Sequence, residues 1–139
     1  MIYLTGATGH IGNNVARMLE EKHTPYRILL RRRGRALAGF SESIMIFGDI
    51  FDPEFLSENL MKGDTLVHIA AMVDLLDHYP EETEYVNNCG TRKIIDFCLS
   101  RGIRLIYTST VDCIPREKDQ ASVNEPEEII VSRLKCPYT

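Results

Sequence analysis

The sequence predicts an α/β fold in which helices cover both faces of an open, parallel, doubly wound sheet. Two observations support this fold class: short apolar runs alternate with helical segments, and the first apolar run breaks at once into a glycine-rich turn. Alternation of this kind gives parallel strands joined by right-handed crossovers. We expect about five strands in the order 3-2-1-4-5, packed as three α/β/α layers.

The first strand, turn and helix occupy the amino-terminal 22 residues. The apolar run Ile2-Tyr3-Leu4 is typical of a buried strand, and glycines follow it directly. A helix is predicted over about 11–22, because its apolar residues have the i, i+4, i+7, i+8 spacing of one helix face: Ile11, Val15, Met18 and Leu19.

The middle of the chain continues the alternation. Strands are predicted over 26–30, 44–47 and 65–69, with a loop or a broken helix over 31–42. A short helix over 53–60 is opened by Asp52 as N-cap and Pro53 at the first helical position.

A long helix and a fifth strand complete the predicted sheet. The helix spans about 81–101, ends before Gly102 and directs four apolar residues at the sheet: Val86, Ile94, Phe97 and Cys98. The fifth strand spans 105–108. Beyond Thr110 the chain turns polar, which predicts a loop or lid with a short helix around 127–134.

Length and composition fit a single domain, residues 1–139. The chain is 44% hydrophobic and carries a net charge of −4, so it suits neither nucleic acid nor an anionic membrane as a partner. No apolar run approaches membrane-spanning length. Its four cysteines form no Cys-x-x-Cys pair, which favours reduced thiols without a metal and a cytoplasmic location.

The glycine turn predicts a site for a dinucleotide. Gly6 allows a tight turn, Gly9 lets backbone N–H groups approach a pyrophosphate, and Gly12 lets the helix pack on the strand. The helix N-terminus adds partial positive charge. The alternative is an ordinary strand-to-helix turn that happens to need glycines.

Five segments together resemble the extended short-chain dehydrogenase/reductase family, in its dihydroflavonol reductase, 3β-hydroxysteroid dehydrogenase and nucleotide-sugar epimerase branch. Thr5–Gly12 resembles T-G-x-x-G-x-x-G, Gly48–Asp52 resembles G-D-x-x-D, and His68–Ala71 resembles H-x-A-A. Val86–Thr91 is similar to V-N-x-x-G-T, and Tyr107–Thr110 to the segment that ends in the catalytic Ser or Thr. The resemblance implies a Rossmann-type fold.

The resemblance also implies which residues hold the cofactor. Asp49 would contact the adenine amino group, the two alanines would lie along the ribose, and Asn87 would steady the neighbouring strand. Each has a simpler interpretation: Asp49 could cap a turn, and His68 is more often a packed histidine than a catalytic one. The full expected set is Gly6, Thr8, Gly9, His10, Ile11, Gly12, Asp49, Ile50, Ala70, Ala71, Asn87 and Thr108.

The end of the second strand favours NADP(H) over NAD(H). NAD-specific sites place an acidic residue there, whereas this chain has Leu29-Leu30-Arg31-Arg32-Arg33. A guanidinium can hold a 2′-phosphate through two hydrogen bonds. We expect Arg31, and then Arg32, to do so; the alternative is a solvated run of charge.

The chemistry implied by the family uses a Ser/Thr–Tyr–Lys relay in which Tyr exchanges a proton with the substrate oxygen. Thr110 is the expected hydroxyl, with Ser109 as fallback, and Tyr138 is the expected start of Y-x-x-x-K. The sequence ends before that Lys, so we expect either a fragment or a truncated relative, without turnover and lacking the substrate domain.

The expected activity is therefore that of an oxidoreductase acting on a hydroxyl or ketone of an unknown small molecule. A nucleotide-sugar epimerase or dehydratase is the alternative within the family. A non-catalytic dinucleotide sensor is the alternative from another class. The fifth strand would be an exposed sheet edge, which favours a homodimer or aggregate.

Overall fold

The computed structural model describes residues 1–73 and 81–110, and within these ranges five strands form one parallel sheet. The strands run in the order β3-β2-β1-β4-β5, as predicted. Their bounds are β1 Ile2–Thr5, β2 Tyr26–Leu30, β3 Met45–Phe47, β4 Thr65–His68 and β5 Arg104–Tyr107. The predicted loop or lid and helix beyond Thr110 lie outside the described residues.

The helices connect the strands as crossovers, and most of the predicted bounds agree within one or two residues. Two short 3₁₀ turns, Arg35–Leu37 and Glu42–Ile44, replace the predicted loop or broken helix. The helices are α1 His10–Glu21, α2 Pro53–Asn59, α3 Glu81–Glu84 and α4 Thr91–Arg101. Asp52 caps α2 as predicted, its Oδ1 accepting from the Glu54 N–H at 2.9 Å.

Each face of the sheet has its own apolar core, so the three-layer arrangement is confirmed. On one face, Ala16 and Leu19 of α1 pack with Leu4, Ile28 and Leu30 of the strands. On the other face, α2 and α4 cover the sheet, with buried Leu56, Ile94, Phe97, Tyr3 and Leu66 in one cluster. Side chains that alternate along one strand therefore enter opposite cores.

The predicted apolar face of α1 was wrong in part. Ile11 and Met18 are 54% and 44% exposed, while Gly12 and Ala16 are buried against the sheet. A Cβ at Gly12 would overlap the backbone of Gly6, so the helix lies too close to β1 for larger side chains there. Close backbone packing, rather than the number of apolar residues, selects the buried face.

The long helix predicted over 81–101 contains a π-helical segment, Tyr85–Gly90, between α3 and α4. A π-helical segment inserts an extra residue into the turn and is frequent at functional sites. The four apolar residues predicted to face the sheet are buried: Val86, Ile94, Phe97 and Cys98. Gly102 ends α4 in the left-handed conformation, with φ of 64°. Within the described ranges, no helix is long and apolar enough to cross a membrane.

Candidate cofactor-binding site

A groove of about 610 Å³ opens at the carboxyl ends of β1, β2 and β4. Its walls are the glycine turn after β1, the arginine run after β2 and the segment Ile69–Val73 after β4. The strand order reverses between β1 and β4, and ligands of open parallel sheets bind outside the strands at such a reversal.

The glycine turn forms the base of the groove because its backbone passes very close to the segment after β4. Gly6 has φ of +77°, and a Cβ there would lie 2.7 Å from the Ala70 nitrogen. Gly9 differs, since a Cβ would approach only the Gly6 oxygen, at 3.4 Å. Gly9 lines the groove and keeps its ligand side open.

The N-terminus of α1 faces this groove without a side-chain cap. Gly9 is the N-cap residue, no side chain accepts from the first turn, and that turn contains no acidic residue. The first helical residues, His10, Ile11 and Gly12, line the groove. Their amide groups and the helix dipole together favour an anion such as a phosphate.

The arginine run supplies further positive charge. Arg31, Arg32 and Arg33 line the groove, and no acidic residue is among the described residues that do so. Arg33 forms an ion pair with Glu42. Arg31 and Arg32 are exposed and form no ion pair with any residue that the structure describes. Their charge is therefore available to a ligand.

The segment after β4 is tied to the π-helical segment through Asn87. The Met72 N–H donates to Asn87 Oδ1 at 2.8 Å, and Asn87 Nδ2 donates to the Met72 carbonyl at 2.8 Å. Ala70 and Ala71 line the groove, whereas Asn87 does not. Asn87 thus lies behind the groove wall and fixes its backbone.

Three of the twelve residues expected from the family resemblance lie away from the groove lining. Asp49 is exposed and its Oδ1 accepts from the Phe51 N–H at 2.9 Å, so the carboxylate caps a turn while Ile50 beside it lines the groove. The exposed Thr108 follows β5, and its N–H donates to the His68 carbonyl at 3.2 Å. Asn87 is the third. The other nine line the groove together with Arg31 and Arg32.

His68 is fully buried and does not line the groove. Burial lowers the pKa of His68 from 6.5 to about 4, so the imidazole is neutral at physiological pH. Its Nδ1 lies 2.8 Å from Thr5 Oγ1 and its Nε2 lies 3.5 Å from Thr91 Oγ1. A buried, neutral imidazole with both nitrogens occupied is a packed histidine.

The residues expected to carry the chemistry are only partly within the described chain. Ser109 and Thr110 follow β5, at the carboxyl end of the sheet, where the groove also lies. Tyr138 lies outside the described residues. Sequence analysis missed seven residues that line the groove: Ala7, Leu29, Leu30, Arg33, Gly34, Ile69 and Val73. Their positions at or just beyond the carboxyl ends of β1, β2 and β4 were the available signal, since ligands bind at strand carboxyl ends.

The sequence also matches a known protein family over almost its whole length. Residues 3–137 match the model of the 3-beta hydroxysteroid dehydrogenase/isomerase family. The chain therefore belongs to this family, and the resemblance to extended short-chain dehydrogenases/reductases is confirmed.

Individual relatives agree with this assignment. The chain is 31% identical over 138 residues to a putative dihydroflavonol 4-reductase of Synechocystis sp., covering 98% of this chain and 40% of that protein. The crystal structure of gox2253 has 30% identity and a TM-score of 0.83, over 99% of this chain and 42% of that one.

A third similar structure is an Agrobacterium tumefaciens short-chain dehydrogenase/reductase superfamily protein with bound NAD. It has 23% identity and a TM-score of 0.78, over 99% of this chain and 40% of that one, and it supports the fold. The chain thus spans about two fifths of the length of these three proteins.

Proposed function

We propose that this chain binds a nicotinamide dinucleotide in the groove, with the pyrophosphate on the N-terminus of α1. The observation that carries the proposal is an uncapped helix N-terminus, reached through a glycine turn, in a groove with no described acidic lining residue. An anionic ligand would satisfy the first amides of α1. Ala70 and Ala71 leave room for a flat group against the backbone.

Titration of the purified chain with NADPH and with NADH, followed by nicotinamide fluorescence, tests this proposal. We expect saturable binding of one dinucleotide per chain, and competition by ADP-ribose, which carries the pyrophosphate without nicotinamide. If neither NADPH nor NADH binds saturably to a chain that has an α/β circular dichroism spectrum, the proposal is refuted.

We further propose that NADP(H) is preferred because Arg31 binds the 2′-phosphate, with Arg32 as the second candidate. Arg33 provides a matched control, since it lies in the same run but is already paired with Glu42. A charge-assisted contact contributes roughly 1.5–3 kcal/mol, or about ten- to a hundredfold in affinity.

Binding of 2′,5′-ADP and 5′-ADP to variants isolates this phosphate contact. Arg31→Asp should lower the preference for 2′,5′-ADP by about tenfold or more, whereas Arg33→Asp should change it little. If the ratio stays unchanged in both Arg31→Asp and Arg32→Asp, these arginines are solvated surface charges and the NADP(H) preference is wrong.

For the whole protein we propose reduction of a ketone or oxidation of a hydroxyl, with Thr110 orienting the substrate oxygen and Tyr138 exchanging its proton. Family membership and the position of Thr110 after β5 support this activity. General acid–base groups contribute about 10²–10⁴ in rate, so Tyr138→Phe should lower kcat by that order while the NADPH affinity changes little. Dinucleotide binding without turnover of any carbonyl substrate would favour the non-catalytic sensor.

A further inference from the structure

Three buried side chains connect the strands beneath the groove to α4. Thr5 ends β1, His68 ends β4 and Thr91 begins α4, and their exposed fractions are 1%, 0% and 6%. Tyr107 of β5 stacks on the imidazole, with ring centroids 5.9 Å apart and an interplanar angle of 23°. Packing therefore holds the ring plane of His68 between the two hydroxyl groups.

The direction of each hydrogen bond follows from the donors around Thr5. Its Oγ1 lies 3.2 Å from both the Ile69 and the Ala70 nitrogen, and backbone N–H groups only donate. Thr5 Oγ1 therefore accepts twice, and its own hydrogen is directed to His68 Nδ1 at 2.8 Å. Since Nδ1 accepts, the neutral ring carries its proton on Nε2, which is directed at Thr91 Oγ1 at 3.5 Å.

The Thr5 hydroxyl takes the place of a backbone partner at the point where β1 leaves the sheet. The register of β1 and β4 ends at Thr5 opposite His68, and the chain then turns away at Gly6. Ile69 and Ala70 follow in the groove wall, and the Thr5 hydroxyl accepts from both of their amides. At this point the wall lies so close that a Cβ on Gly6 would be 2.7 Å from the Ala70 nitrogen.

We propose that Thr5, His68 and Thr91 form a positioning relay that fixes the backbone of Ile69 and Ala70 and so sets the width of the groove. Only the expected effect of the relay on dinucleotide affinity rests on the proposed function. None of the three residues lines the groove, so each acts through the backbone that does.

Two substitutions at Thr5 test the relay. Thr5→Val removes the hydroxyl while keeping the branched shape, and Thr5→Ser keeps the hydroxyl. Amide hydrogen exchange should accelerate at Ile69 and Ala70 in Thr5→Val, with the amides of β2 unchanged. NADPH affinity should fall about tenfold in Thr5→Val and recover to within threefold of the wild type in Thr5→Ser. A role in stability alone would accelerate exchange throughout the sheet, including β2, and overturn the proposal.

Nitrogen NMR of the His68 ring gives a second test that needs no ligand. We expect the Nε2–H tautomer at neutral pH, with Nδ1 unprotonated, in the wild-type chain. A proton on Nδ1, or unchanged exchange of Ile69 and Ala70 in Thr5→Val, would overturn the relay. If the wild-type chain binds no dinucleotide, the proposed function fails, while tautomer and exchange still decide the relay.

Discussion

At the residue scale, Gly9 and Gly12 lack a side chain for different reasons. The absent Cβ of Gly12 is replaced by the backbone of Gly6, so this glycine serves the packing of α1 on β1. Above Gly9 the nearest such contact is 3.4 Å away, and the residue lines the groove. Gly12 is therefore required for the packing of the fold, whereas Gly9 keeps space for a ligand.

Valine substitutions at these two positions should separate the roles. We expect Gly9→Val to retain the far-UV circular dichroism and to lose about a hundredfold or more in NADPH affinity, because the side chain occupies groove volume. Gly12→Val should instead destabilise the chain by about 1–3 kcal/mol or more in urea unfolding, because it overlaps backbone atoms. NADPH binding by a folded Gly9→Val variant with unchanged affinity would contradict the proposed binding mode.

His68 should also make stability depend on pH. Its folded pKa of about 4 lies below the ordinary histidine value of 6.5, so between these values the unfolded chain binds more protons. Stability must then fall as pH is lowered, and we expect a loss of about 2 kcal/mol between pH 7.5 and pH 5.

Urea unfolding at both pH values checks this prediction, with His68→Phe as the variant that lacks the titrating group. The difference in stability between pH 7.5 and pH 5 should be smaller in His68→Phe than in the wild type. If the imidazole NMR signal of His68 titrates near pH 6.5 in the folded chain, burial does not lower the pKa of this residue.

The sequence predicted the residues of the glycine turn and of the alanine pair better than it predicted their partners. Gly6 and Ala70 were each expected at the cofactor, but their close approach is a contact between distant strands that residue order does not reveal. Likewise, the buried His68 was expected as a packed histidine, whereas its two hydroxyl partners, Thr5 and Thr91, became visible only in the fold.

At the scale of elements, the π-helical segment Tyr85–Gly90 is the feature that the 3.6-residue period could not predict. It presents the Asn87 amide to both backbone groups of Met72, one donor and one acceptor. Behind it, a Cβ on Gly90 would lie 2.5 Å from the Phe51 ring, so the helix backbone is close to the core there. The apolar spacing that identified the helix reports only which face is buried.

The strand order, unlike the π-helical segment, was predictable from the sequence. An α-helix lies in three of the four connections and two 3₁₀ turns lie between β2 and β3, and right-handed connections leave few arrangements of five parallel strands. Catalytic placement was not predictable in the same way, because Tyr138 is separated from β5 by a polar segment whose sequence has no strong period. Its role stays a prediction, as do the cytoplasmic location and the homodimer.

Replacing Asn87 should loosen the connection between the π-helical segment and the groove wall. Asn87→Ala removes both hydrogen bonds to the partly buried Met72 backbone, and two such bonds contribute about 1–3 kcal/mol net. We expect urea unfolding to show a loss in that range. Asn88→Ala is the matched control, since Asn88 is exposed and its side-chain amide donates to Glu84 Oε1. Equal losses in both variants would mean that the bridge contributes nothing specific.

At the scale of the whole molecule, the two edges of the sheet differ. β3 has three residues, whereas β5 has four, paired through all of them with β4 and exposing Ile106 at 44% and Tyr107 at 48%. Within the described ranges β5 has no strand on its outer side. Exposed apolar side chains such as Ile106 on an edge strand favour pairing with another chain. The net charge of −4 offers only weak repulsion against it.

We therefore expect the 139-residue polypeptide to self-associate through β5, as size-exclusion chromatography with light scattering would detect in a concentration series. Ile106→Lys should shift the molecules toward monomer, because a charge on an edge strand disfavours pairing with a second sheet. Phe47→Lys is the matched control, since Phe47 is 53% exposed and lies on the opposite edge strand, β3. A monomeric wild-type chain at high concentration would refute the prediction, and loss of association in Phe47→Lys alone would assign the interface to β3.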